Sequence, residues 1–106
     1  MFARNVLLRL KPNTMSEFTR TFDKEVIPLL RKQRGFQDEI TFAVPEGLDV
    51  VALSLWDSKE HAEAYNTAGY PEVLKILSKV LEGTPKVQVS NVISSTIHTA
   101  AGVKSA

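Results

Sequence analysis

The order in which apolar periodicity changes along this chain constrains its fold more than any other feature. Val6, Leu8 and Leu10 alternate with Asn5, Leu7 and Arg9, which marks Phe2–Leu10 as a strand. Lys11, Pro12 and Asn13 break it. Met15, Phe18, Phe22, Val26 and Leu29 then recur at spacings of 3, 4, 4 and 3, one face of a helix. Thr14 and Glu17 fit a capping box at its start. Pro28 predicts a kink or loosening late in this helix, and Gly35 suits its C-terminal cap.

Period two returns twice in quick succession. Ile40, Phe42 and Val44 share a face in a strand from Phe36 to Val44, and Asp49 to Trp56 reads as a third strand. Pro45-Glu46-Gly47 between them is a turn, so the two strands pair as an antiparallel hairpin. Asp57 or Ser58 caps a second helix through about Ala68, which Gly69-Tyr70-Pro71 interrupts. Val73, Leu74, Leu77 and Leu81 stripe its continuation, and Lys86 to about Ile97 is the last strand, with Val87, Val89 and Ile93 in one row. The predicted order is β-α-β-β-α-β with the second helix split, an α+β chain of ferredoxin-like topology on an antiparallel sheet.

Two helices can cover one face of such a sheet. The first two strands nevertheless carry strongly apolar rows, and the third is apolar on both sides through Val50, Ala52 and Val51, Leu53, Leu55. An apolar face left in water is a liability, and pairing with a second copy removes it, so a homodimer is expected.

At 106 residues the chain suits one domain, assigned to 1–98, with 99–106 as a flexible tail. Thirteen basic against twelve acidic residues leave a net charge of +1, which gives no pull toward nucleic acid or an anionic membrane. The chain has no cysteine, which excludes disulfides, thiolate catalysis and Cys-based metal sites. The first residues lack the basic start and apolar stretch of a secretory leader, and no apolar run nears the ~20 residues that span a bilayer. A cytoplasmic protein with no membrane partner is expected. His61 and His98 are the only histidines, too few for a recognisable metal site. The five glycines form no phosphate loop or dinucleotide fingerprint.

Asn5, the Gly35-Phe36 pair and the run Leu55-Trp56-Asp57-Ser58-Lys59-Glu60 resemble the antibiotic biosynthesis monooxygenase domain family, whose members are dimeric α+β barrels. The resemblance spans the chain except its tail. It implies a cofactor-independent monooxygenase acting on a small phenol- or quinol-type aromatic, bound between helices and sheet, with neither metal nor organic cofactor. In heme-degrading relatives an asparagine, a tryptophan and a histidine form the site. Asn5 matches the first, whereas Tyr65 and Lys75 fall at the other two, and lysine is a poor ligand for iron.

On this reading Asn5 and Tyr65 are the candidate catalytic residues. Asn5 would polarise or hold a substrate oxygen and Tyr65 would orient it. Trp56, Tyr70 and Phe22 are the candidate substrate-binding residues. The alternative is a non-catalytic dimeric module that binds a small apolar ligand.

Overall fold

The computed structural model describes residues 1–97; the tail assigned to 99–106 and His98 lie outside them. Strand β1 spans Phe2–Arg9, β2 Phe36–Ala43, β3 Asp49–Trp56 and β4 Lys86–Asn91. They form one antiparallel sheet in the order β2-β3-β1-β4, the ferredoxin-like arrangement expected from the sequence. Helix α1 (Met15–Thr21), a π-helical turn (Phe22–Val26) and α2 (Ile27–Arg31) join β1 to β2, and α3 (Lys59–Ala68) and α4 (Tyr70–Leu77) join β3 to β4.

Register decides which residues meet the helices. Phe2, Arg4, Val6 and Leu8 of β1 pair with Trp56, Ser54, Ala52 and Val50 of β3. Phe2, Val6, Leu8, Val50 and Trp56 join one core cluster with Phe18, Phe22, Val26 and Leu30 of the first helical layer and Ala62, Tyr65, Val73 and Leu77 of the second. These paired rows therefore face the helices, and side-chain alternation turns Ala3, Asn5, Leu7 and Val51, Leu53, Leu55 to the other face. Ile40 pairs with Leu53 and Phe42 with Val51, so they join that open face, while Glu39, Thr41 and Ala43 face inward.

The first helix loosens where proline demands it. Proline lacks an N–H and clashes with the carbonyl four residues back. The chain answers with a widened turn just before Pro28, in which the Ile27 N–H donates to the Phe22 carbonyl five residues back. Thr14 does not form the expected capping box: its hydroxyl donates to the Lys11 carbonyl (2.6 Å), leaving no side-chain cap on α1. The second cap does form, and Ser58 rather than Asp57 makes it, accepting from the His61 N–H at 3.2 Å.

β4 is shorter than expected and stops at Asn91. Val87 and Val89 lie on the helix side of the sheet, at its β4 edge, and stay 41% and 53% exposed. The open face keeps Leu7, Ile40 and Phe42 in solvent, with Phe42 53% exposed in the single chain. Among the described residues no helix is long and apolar enough to cross a membrane.

Candidate active site

A narrow cleft opens between the sheet and the two helical layers, with only about 30 Å³ of free volume inside it. Its walls are mostly aliphatic: Val6 and Leu8 from β1, Val26 and Leu30 from the first helical layer, Val73 and Leu77 from α4. Four polar residue types interrupt them, namely Arg4, Glu39, Ser54 and the tyrosines Tyr65 and Tyr70.

Arg4 organises this polar end. It occupies an inward position of β1, between Phe2 and Val6, where every other member of the row is apolar. Its side chain is 2% exposed. The guanidinium donates to Asn66 Oδ1 on α3 at 2.9 Å and lies over the rings of Tyr65 (4.9 Å) and Tyr70 (4.5 Å). Burial draws the Arg4 pKa down while the two phenols oppose the shift, and a guanidinium keeps its charge through such changes. No carboxylate lies within ion-pair distance of it among the described residues.

An aromatic ladder backs the cleft. Phe36 meets Trp56 edge-on (5.6 Å between ring centres), Trp56 stacks on Tyr65 (4.8 Å, 26° between planes), and Tyr65 adjoins Tyr70 (6.2 Å). Trp56 is fully buried and donates its indole N–H to Ser54 Oγ at 2.9 Å. Gly69 makes the junction between α3 and α4 possible, because a Cβ there would press into the Tyr65 ring. Tight passage at this residue sets Tyr65 and Tyr70 side by side at the same end of the cleft. Burial pushes the Tyr65 phenol up to about 12, and burial also raises Tyr70. Both are neutral hydrogen-bond donors at ordinary pH.

Glu39 faces the same cleft from β2. Its Oε2 accepts from the Thr41 hydroxyl at 2.6 Å. Burial raises its pKa, the Thr41 hydrogen bond lowers it, and nearby Asp23 raises it further.

Of the residues singled out in the sequence, Phe22, Tyr65 and Tyr70 converge on this cleft. Trp56 stands one layer behind it, against Tyr65. Asn5 does not join them. It pairs with Leu53 and Gln88 on the open face of the sheet, with the sheet between its amide and the cleft. Arg4 and Glu39 are the polar residues that sequence reasoning passed over. The available signal was positional: extending the Val6-Leu8-Leu10 row back toward the N-terminus puts an arginine, not an asparagine, on the apolar side.

A ferredoxin-like α+β domain with a narrow cleft between sheet and helices is thus the class that fold and site define. No protein-family model matches the sequence, and no curated protein is significantly similar to it. Solved structures are similar in fold. The monooxygenase ActVA-Orf6 of Streptomyces coelicolor, solved with nanaomycin D, superposes with a TM-score of 0.75 at 22% identity, covering 89% of this chain and 88% of that one. SnoaB of Streptomyces nogalater, a cofactor-independent oxygenase, gives 0.72 at 13% identity over 92% and 97%. A structure named antibiotic biosynthesis monooxygenase gives 0.71 at 9% identity over 88% and 99%. The chain has the fold of the antibiotic biosynthesis monooxygenases, as the sequence resemblance implied.

Proposed function

We propose that this protein is a cofactor-independent monooxygenase of a small phenol- or quinol-type aromatic, working as a homodimer with one cleft per protomer. The observation that carries this reading is the Arg4 guanidinium, buried at the polar end of an aliphatic cleft without a carboxylate partner among the described residues. A buried charge is costly unless something compensates it. An anionic ring oxygen supplies that compensation, and the flat faces of Tyr65 and Tyr70 suit an aromatic ring.

The chemistry follows from that charge. An ionised phenol is electron-rich and can itself pass an electron to molecular oxygen. One oxygen atom is retained on the ring, the other leaves as water, and the phenol becomes a quinone. Arg4 holds the oxyanion, the neutral phenols of Tyr65 and Tyr70 can donate to substrate oxygens, and the aliphatic walls exclude water. The two Streptomyces oxygenases of the same fold support this assignment.

One observation favours the second reading, a binding module without turnover: Asn5, the polar residue carried over from the family resemblance, lies on the far side of the sheet from the cleft. Oxygen consumption separates the two readings. The expected result is oxygen uptake with at least one member of a panel of phenols, quinols and anthrones, with stoichiometric quinone. Binding of such compounds without any oxygen uptake would establish the module instead.

A further inference from the structure

Arg4 lines a second space besides the cleft. Between α3 and the β4 side of the sheet lies a groove with about 280 Å³ of free volume, walled by Phe2, Ala62, Val87 and Val89, with Arg4 and Asn66 at its polar part. A cavity of about 150 Å³ already takes a benzene ring, so this groove has room for a ring. We propose that the groove binds a small apolar monocarboxylate, whose carboxylate takes the place of the Asn66 side chain on Arg4. The inference goes beyond the oxygenase reading and does not depend on it.

Three observations meet in this groove. The first is charge. Arg4 is 2% exposed and makes no ion pair among the described residues. A buried cation without an anion is costly. Lys59 and Glu63 also line the groove, both well exposed and 3.8 Å apart, and their charges offset each other. Arg4 therefore sets the sign of the groove.

The second is the shape of the group that Arg4 holds now. Its Nη2 donates to Asn66 Oδ1 at 2.9 Å. Asn66 is an exposed residue of α3, so its side chain can swing into solvent without disturbing the core. A carboxylate has the planar outline of that carboxamide. It adds a negative charge and a second acceptor oxygen, which match the forked donor edge of a guanidinium.

The third is the apolar wall. Val87 and Val89 lie on the helix side of the sheet, yet they stay 41% and 53% exposed. Phe2 and Ala62 extend the wall from β1 and α3. An apolar body resting there leaves water while its carboxylate reaches Arg4. One guanidinium does not serve two anions equally, so an occupied groove draws the Arg4 charge away from the cleft.

The test uses 3-phenylpropanoate, with 3-phenylpropanamide as its uncharged twin, followed by calorimetry and methyl NMR at neutral pH. The wild-type protein is expected to bind the carboxylate about 10–100-fold more tightly than the amide, the effect of a charged hydrogen bond. The methyl signals of Val87 and Val89 are expected to move, and those of Val73 and Leu77 in the cleft to stay. Asn66→Asp places a carboxylate on Arg4 from within the chain and is expected to abolish binding. Asn66→Ala removes the competitor and is expected to tighten it. Both changes fall on an exposed residue and should leave the fold intact; Val89→Glu, at a half-exposed position, should block the groove without altering Arg4. Absent binding, equal affinity for acid and amide, undiminished binding by Asn66→Asp, or signals moving at Val73 and Leu77 instead of Val87 and Val89 would each overturn the proposal. None of these readouts needs turnover, so a failure here leaves the oxygenase reading standing, and a protein without oxygen uptake can still bind in the groove.

Discussion

Arg4 and Tyr65 carry the sharpest predictions because their chemistry and their structural roles pull in different directions. A buried ion contributes little net stability, and replacing it by an apolar side chain of similar volume is often neutral or stabilising by about 1–4 kcal/mol. Arg4→Met should therefore leave the melting temperature unchanged or raised. In the proposed reaction it removes the charge that stabilises the oxyanion, which costs about 10²–10³ in kcat. Parallel melting curves and oxygen-uptake rates decide the matter, and a large loss of stability would make Arg4 a structural residue. Tyr65 gives a pH signature. Its folded pKa of about 12 stands above the ordinary value of 10.0, because burial disfavours the phenolate. Between those two values the unfolded chain loses this proton and the folded chain keeps it. The contribution is therefore complete below pH 10 and is lost as pH rises through 12. Tyr65→Phe, compared with wild type by urea denaturation across that window, should show a shallower alkaline decline, by on the order of 2 kcal/mol.

At the scale of elements, two joints position the site. The β3–α3 joint rests on Gly35, at the end of the first helical layer, whose carbonyl accepts from the Asp57 N–H at 2.8 Å. Gly35 has φ +85°, and a Cβ there would collide with the Asp57 and His61 side chains, which hydrogen-bond to each other at 2.6 Å. Gly35→Ala meets both penalties. The backbone term alone is about 1–2 kcal/mol, and the clash at the start of α3 adds to it. The expected result is a lower melting temperature together with slower oxygen uptake on the phenol and quinol panel, since α3 carries Tyr65 and Asn66. The aromatic ladder is the second joint. Trp56→Ala removes the plate on which Tyr65 stacks and should cost about 3–5 kcal/mol in urea unfolding.

For the whole molecule, the decisive feature is the sheet face opposite the helices. Leu7, Ile40 and Phe42 are 43%, 39% and 53% exposed there, beside Val51, Leu53 and Leu55. Face-to-face pairing of two copies would remove this patch from water, and a stable pair of this kind buries roughly 1,200–2,000 Å². Light scattering is expected to return a dimer mass at micromolar concentration. Phe42 touches the core of its own chain little, so Phe42→Asp should yield a folded monomer rather than an unfolded chain. An unchanged dimer mass in that variant would move the interface elsewhere.

The sequence by itself determined the order and type of the elements, because apolar periodicity records local geometry. Residues two apart share a strand face and residues three or four apart share a helix face, whatever lies beyond them. The strands, the hairpin, the split second helix and the loosening at Pro28 were legible for that reason, and Phe22, Tyr65 and Tyr70 could be picked out as aromatic candidates. Only tertiary structure decided which face of each strand met the helices. Along β1 the row of Val6, Leu8 and Leu10 already carried Arg4 and not Asn5 on its side, and the pairing with β3 turned that row, Arg4 included, toward the helices. Glu39 entered by the same route, since its neighbours Ile40 and Phe42 mark an apolar face and only the register with β3 shows that this face is the open one. The Thr14 cap failed because a local hydroxyl chose a carbonyl three residues back, a competition between nearby partners that spacing alone does not resolve. The polar lining of the cleft draws Arg4, Ser54 and Glu39 from three segments far apart in the chain, and it is the pairing of β1, β3 and β2 that sets them in one row.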